Sequence, residues 1–263
     1  LVLVTTFPRT SAVPSTGGIY DRTTRGIRLY LKTPRLRGLL AVTLAAAAAS
    51  AMVIVNTVVL VRAGLGLGQR EVAITLAAFG GGSMLAALAL PRVLDRLADR
   101  TVMLAAAALL TIVLAGLAIS WPFNDRQPYW YGLLAALTVL GIAYSASVTP
   151  GGRLLRRSSN SNDRPSLFAA QFALSHVCWL VAYPLAGQIG ARSGMGAAFA
   201  AAASLAFLGI VVAVALWPAN DPEVLQHCHD DLPADHPHVK EHHGGGRAAH
   251  AYVLDDLHRT WPR

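Results

Sequence analysis

Eight of the nine histidines in this chain fall from residue 227 onward. Most stand in the stretch 225–243, LQHCHDDLPADHPHVKEHH. His227, Cys228 and His229 put three metal-seeking donors in consecutive positions, and His236, His238, His242 and His243 follow. Neutral imidazole is a common metal ligand, and it suits nickel, cobalt, zinc and copper. Asp230, Asp231, Asp235 and Glu241 add oxygen donors. The spacing matches no zinc-finger pattern. Pro233, Pro237 and the glycines at 244–246 predict a flexible loop rather than a folded domain. The expected chemistry is loose chelation, by a tail with more ligands than one ion needs. The plain alternative is a solvated polar tail whose histidines are incidental. After the glycines, HAYVLDDLHRTWPR predicts a short amphipathic helix.

The ninth histidine, His176, has a different setting. It lies in an apolar run with Gln171, Ser175 and Cys178. At 1.5 Å per residue it stands about 15 Å along a helix from Ser166. That depth is near a bilayer midplane, where polar groups are costly and often mark a transport path. His176 there could bind a metal ion, carry a proton or hydrogen-bond a neighbouring helix. Gln171 and Ser175 are one turn apart and can share its path. Asn56 and Tyr144 are weaker candidates, near the ends of their runs. The two cysteines, Cys178 and Cys228, make no disulfide framework.

The elements that must position these groups are apolar runs. The chain has 263 residues, 54% of them hydrophobic and only 14% charged, against about 25% charged in an average soluble domain. A helix needs roughly 20 apolar residues to cross the hydrocarbon core. Six runs qualify, at about 38–61, 71–90, 101–120, 129–149, 166–190 and 195–217, and none holds an acidic or basic residue beyond its edges. The runs do not alternate in hydrophobicity, which excludes a β-barrel. The basic residues then divide by connection. Eighteen fall before the first run, in the second and fourth connections and in the tail; four fall on the other side. By the positive-inside rule this predicts an integral protein of the cytoplasmic membrane with both termini cytoplasmic. Scattered between apolar runs, the net charge of +8 does not describe a nucleic-acid surface.

The predicted organisation is a basic segment at 1–37, a six-helix bundle at 38–218 and a polar His-rich tail at 219–263. In the first segment, Ile19, Ile27, Tyr30 and Leu31 can share one helical face among Arg22, Arg25, Arg28 and Lys32, and Pro34 should end that helix. A basic amphipathic helix of this kind lies in a membrane interface. The chain opens LVLVTTFP without a methionine, so it is expected to be part of something longer. Small residues recur in the runs, at 45–49, 80–83, 105–108 and 200–203, where they let helix backbones approach closely.

The second connection reads PRVLDRLADR at 91–100. It resembles the major facilitator superfamily of secondary transporters, which carries Gly-x-x-x-Asp-Arg-x-Gly-Arg-Arg between the second and third helices of each six-helix half. Asp95, Arg96 and Arg100 match; Pro91 and Ala98 stand for the glycines and Asp99 for an arginine. The run DRPSLFAAQFALSHVCWLVAYPLAG is similar to the eleventh helix of such a transporter. With the His-rich tail, the chain looks most like the branch associated with nickel resistance and metal efflux. The resemblance covers nearly the whole chain and implies spans seven to twelve, an absent N-terminal six-helix half as partner, no required cofactor, and a cytoplasmic gate at Asp95, Arg96 and Arg100.

Other readings compete. An organic solute or drug could be the cargo, with the tail only regulatory. The chain could be a membrane metal sensor that transports nothing. Cation diffusion facilitators use carboxylate ligands inside their helices, and these runs have none. An intramembrane serine protease would need a serine nucleophile and a histidine base. Tyr144–Ser147 (YSAS) and His176 supply the residue types without the Gly-x-Ser-Gly context. The chain is therefore expected not to be an enzyme.

Overall fold

The Thr33–Pro34 bond is the first place where the backbone must change course. Proline lacks an N–H and disfavours helical geometry at the residue before it. In the computed structural model, helix α1 (Ile19–Lys32) stops there, and Thr33 is extended, with φ −87° and ψ 114°. Pro34 then opens α2 (Pro34–Val58), at a helical position whose N–H would have no partner anyway. The structure describes residues 19–121, 126–221, 224–227, 243–244, 247–254, 258 and 261; side chains are described for 24–121, 128–221, 224–225, 252–254, 258 and 261.

The last turn and a half of the first span widens into a π-helix, Val59–Gly64. After it come α3 (Gln69–Leu94), α4 (Asp99–Ser120), α5 (Arg126–Val148), the short α6 (Gly151–Arg157) and α7 (Arg164–Leu216). Five helices are long and apolar enough to cross a membrane when α7 counts as one. At 53 residues, a straight α7 would be about 80 Å long, far more than a bilayer core of about 30 Å.

Its contacts show that it is a hairpin. Ala45 of α2 lies against Gly209, and Ser50 accepts a hydrogen bond from the Trp179 indole at 2.8 Å. Five residues on α2 thus meet partners thirty residues apart on α7, which no straight helix allows. Along α2, Gly38 meets Trp217 and Ala41 meets Gly209, so the partners descend; Ser50 meets Trp179 and Val55 meets Gly187, so they ascend. The first arm, 164–193, therefore runs parallel to α2 and the second, 195–216, antiparallel. The reversal sits at Gly194, whose φ of 86° is one that side chains other than glycine's rarely adopt. Six spans result, as the apolar runs predict.

α2 is the spine of the bundle. Its alanines Ala45, Ala46, Ala47 and Ala49 are wholly buried. The second pairing is α3 with α5, which run parallel. A Cβ at Gly82 would stand 2.1 Å from the Thr138 carbonyl oxygen, and one at Gly141 2.0 Å from that of Phe79. Backbone therefore packs on backbone here, and only glycine permits it. The outer faces are as apolar as the core: Leu88, Ile112, Phe172, Leu180 and Phe207 are all exposed. In water such surface would drive aggregation; in lipid it is a solvated face.

The tail corrects two expectations. Residues 224–227, 243–244 and 247–251 form a three-stranded antiparallel sheet in the order β1–β3–β2, with β1 at Val224–His227, β2 at His243–Gly244 and β3 at Arg247–Ala251, while 252–254, 258 and 261 take no regular structure and most of the expected loop, 228–242, lies outside the described residues. The predicted helix after the glycines begins instead as β3, where backbone pairing with β1 outweighs the local apolar spacing.

Candidate functional site

Charged residues gather at one end of the bundle, which holds the 91–100 connection, α6 and the chain leaving α7. Asp99 begins α4 and is buried, and Arg153 of α6 reaches its carboxylate at 3.5 Å. The same guanidinium donates to the Leu94 carbonyl at 3.4 Å. Arg153 thus ties the two connections on this side together. Arg100 donates to the Trp217 carbonyl at 3.3 Å, fastening the start of α4 to the end of α7.

Asp221 is the second node. Arg35, buried at the first turn of α2, lies 3.4 Å from its carboxylate, and Arg157 lies at 3.7 Å. The Trp217 indole donates to the same carboxylate at 3.2 Å. The Arg35 guanidinium also sits 4.7 Å from the Trp261 ring centre, a cation–π distance. Trp261 in turn meets Tyr252 edge to face, and Tyr252 meets His258 in the same way. The end of the chain is thereby seated on the start of the first span.

A third node holds α1. Arg25 grips Asp163 with two donors, at 2.7 and 3.3 Å, the fork geometry that strengthens such pairs. Gly26 packs on Ser166, and the Tyr30 hydroxyl donates to Gln171. The predicted face of α1 is only partly the docked one, since Tyr30 is buried and Leu31 exposed. Burial raises the Tyr30 phenol well above its ordinary 10.0.

These nodes differ from the expected gate. Asp95 and Arg96 are exposed and join no ion pair among the described residues, while Arg100 is engaged by a carbonyl. The carboxylate that pairs within the bundle is Asp99, at a position where the motif has an arginine. Asp99, Asp163 and Asp221 were not singled out from sequence. The available signal was scarcity: with so few acids beside so many arginines, an acid that folding buries at this end of the bundle has guanidiniums to meet.

The mid-span polar groups do not form one cluster. Asn56 is buried and donates to the Ala186 carbonyl at 3.2 Å, joining α2 to the first arm of α7. Gln171 is taken by Tyr30, and Ser175 is buried and bonded to Phe172 at 2.8 Å. Tyr144 packs its ring 5.6 Å from that of Phe79. His176 is exposed on the outer face of α7, between the rings of Phe172 and Trp179. Its Nδ1 lies 2.7 Å from the Phe172 carbonyl. A carbonyl only accepts, so Nδ1 donates in this contact, and Nε2 is the ring nitrogen left facing away from it.

Of the tail candidates, Cys228, His229, His236, His238 and His242 lie outside the described residues; His227 and His243 fall in β1 and β2. Among the described side chains, no three histidines, cysteines or carboxylates stand close enough together to hold a metal ion.

Six apolar helices of alternating direction, with their charges gathered at one end, define an integral membrane helical bundle. The family profile of the Major Facilitator Superfamily matches residues 39–228, and the chain belongs to that superfamily of membrane transporters. Its members are transporters rather than enzymes. A search of curated proteins finds no match.

Proposed function

We propose that the chain is one six-helix half of a secondary transporter that exports a divalent metal ion such as nickel by alternating access, with an N-terminal six-helix half as its partner. The observation that carries the cargo reading is His176. It stands in mid-span on the face this bundle leaves uncovered, with Nε2 available for an ion or a proton. Transporters built from two repeats bind substrate near the midplane between them, and that is where such a face would lie. Gln171, Ser175, Asn56 and Tyr144 would then support the path from within the half.

The arginine-rich end faces the cytoplasm in this reading, in line with the eighteen-to-four division of basic residues. Exposed Asp95 and Arg96 would pair across to the other half and close a gate on that side. The tail histidines would collect metal at its mouth.

Nickel uptake into everted membrane vesicles containing both halves tests the cargo. His176→Ala should abolish uptake while the amount of protein in the membrane stays constant. Uptake equal to that of empty vesicles, with the unaltered protein present, removes metal as the cargo and leaves the fold untouched.

A second reading, efflux of an organic solute, draws on the apolar and aromatic neighbours of His176: Phe172, Val177 and Trp179. It expects solute transport to survive deletion of residues 225–243. A metal sensor would bind metal through the tail and move nothing in the same vesicles.

A further inference from the structure

At the end of the bundle opposite the arginine-rich one, α2 passes into the π-helix Val59–Gly64. The inner face of that helix is pinned: Leu60 and Val61 are buried, and Gly64 lies under the Trp121 ring. The chain then turns back at Gly66, whose φ of 67° costs glycine nothing. Leu67 is thereby folded over the widened turn, its N–H donating to the Val61 carbonyl at 3.0 Å. Between turn and helix lies an open cavity of about 470 Å³, lined by Val58, Val59, Arg62, Ala63, Gly66 and Leu67. Small-ligand pockets have this character: about 300–1,000 Å³, apolar for the most part, with a few polar groups that fix orientation.

Arg62 is the one charged side chain in the lining. It is exposed, and among the described residues its guanidinium joins no ion pair or hydrogen bond. A cation near a helix C-terminus often caps the last carbonyls. Here the carbonyls of Leu60, Val61 and Arg62 already accept from the N–H groups of Leu65, Leu67 and Gly66, at 3.0–3.1 Å. The nearest acid along the chain is engaged too: the Glu71 carboxylate accepts from the Gly68 N–H at 3.0 Å. The donors of Arg62 are therefore left to whatever enters the cavity. The apolar lining continues away from it. Val58 and Ile54, one and two turns back along α2, are exposed, and the stripe stops at Ser50, which is buried. The groove thus has a charged end and a closed apolar end, with Arg62 and Ile54 about 12 Å apart along the axis.

We propose that this cavity binds an amphiphilic anion, with its carboxylate or phosphate head on the fork of Arg62 and its aliphatic body on Val58, Val59 and Leu67. A guanidinium holds either head with two parallel donors. A phospholipid of the adjacent leaflet and a dissolved fatty carboxylate share this chemistry. A metal cation does not, because the charge in the lining is positive. The site is separate from His176 and does not rest on metal being the cargo.

The test uses the full chain in an uncharged detergent, with Cys178 and Cys228 replaced by serine and a single cysteine placed in the lining by Ala63→Cys. The readout is the rate at which that cysteine reacts with a water-soluble thiol reagent. Decanoate should slow it, by about tenfold at ten times the half-protecting concentration, because only empty sites react. Decanol and acetate, which carry the body and the head alone, should leave the rate unchanged. Arg62→Gln should remove the protection, and Arg62→Lys should keep part of it, since a point charge replaces the fork. A cysteine introduced instead by Ser193→Cys, at the same end but outside the lining, should react at one rate throughout. Phosphatidylglycerol mixed into the micelles separates the sources. Slowing by that lipid makes the occupant a phospholipid, and slowing by decanoate alone makes it a dissolved amphiphile. The site is wrong if neither slows the reaction, if decanol or acetate protects equally, or if protection survives Arg62→Gln. None of these results bears on nickel uptake, which the vesicle experiment reads separately.

Discussion

Arg153 and Asp99 form an unequal pair: the arginine is half exposed and the aspartate is buried. Losing the arginine takes a guanidinium away from a buried carboxylate, whereas losing the carboxylate frees an arginine that water can reach. Arg153→Ala should therefore destabilise the protein more than Asp99→Asn does, by about 1–3 kcal/mol. Thermal unfolding in detergent would show the order; equal midpoints would mean that the pair holds nothing. Asp221 faces two guanidiniums and an indole, so Asp221→Ala removes a carboxylate shared by three donors and should lower the unfolding midpoint. At the other docking point, Tyr30→Phe removes the hydroxyl that Gln171 accepts, worth about 1 kcal/mol. The sign of the pH effect follows from burial. Because the folded phenol is raised above 10.0, its neutral form is the one that packs. Docking of α1 is intact below pH 10 and weakens as pH climbs past it. Tyr30→Phe should remove that alkaline weakening, measured as the pH dependence of proteolysis after Lys32.

Helices α3 and α5 meet where neither has a side chain to spare. Gly82→Leu and Gly141→Leu would each force the backbones apart, and each should abolish a monodisperse peak on size exclusion in detergent. Gly80→Ala adds a methyl group into open space and should leave the peak unchanged. If Gly82→Leu behaves like Gly80→Ala, the crossing is not as close as described. The reversal in α7 has its own test. Gly194→Ala keeps the apolar pattern but places a Cβ at φ 86° and ψ 170°, a region essentially reserved for glycine, at about 1–3 kcal/mol. A lower unfolding midpoint is expected, and an unchanged one would argue against the positive φ. The π-helix at Val59–Gly64 ends with Gly64 under the Trp121 ring, so Gly64→Val should be milder than the change at Gly82, since a side chain and not backbone has to give way.

For the molecule as a whole, the alternation of the spans fixes which turns share a side. Single cysteines introduced at residues 66 and 193, in a background with Cys178 and Cys228 replaced, should react together with an impermeant thiol reagent added outside whole cells. Cysteines at 97 and 161 should react only after the membrane is opened. Labelling of 97 and 193 from the same side would overturn the six-span order. The uncovered apolar face on the first arm of α7 belongs to the same scale: one bundle leaves His176 without a neighbouring span, and a second bundle is what the alternating-access proposal supplies.

Much of this was readable along the chain because it is local. An apolar run of the right length must be helical in lipid, where backbone groups have no water to bond. Arginine at alternate turns sets direction, and the residue before Pro34 must leave the helix. Those rules gave six spans, the break at Thr33 and the small residues of the packing surfaces. Partners were another matter. Nothing near Gly82 in sequence announces Thr138, and the motif spacing favoured Asp95 where folding pairs Asp99 with Arg153. The tail shows the same limit: β2 is two residues long, too short for any periodic signal, and its register comes only from β3. Length and hydropathy are properties of a segment and survive without neighbours. Which side chains meet is settled by the close packing of distant segments, and that exists only once the chain has folded.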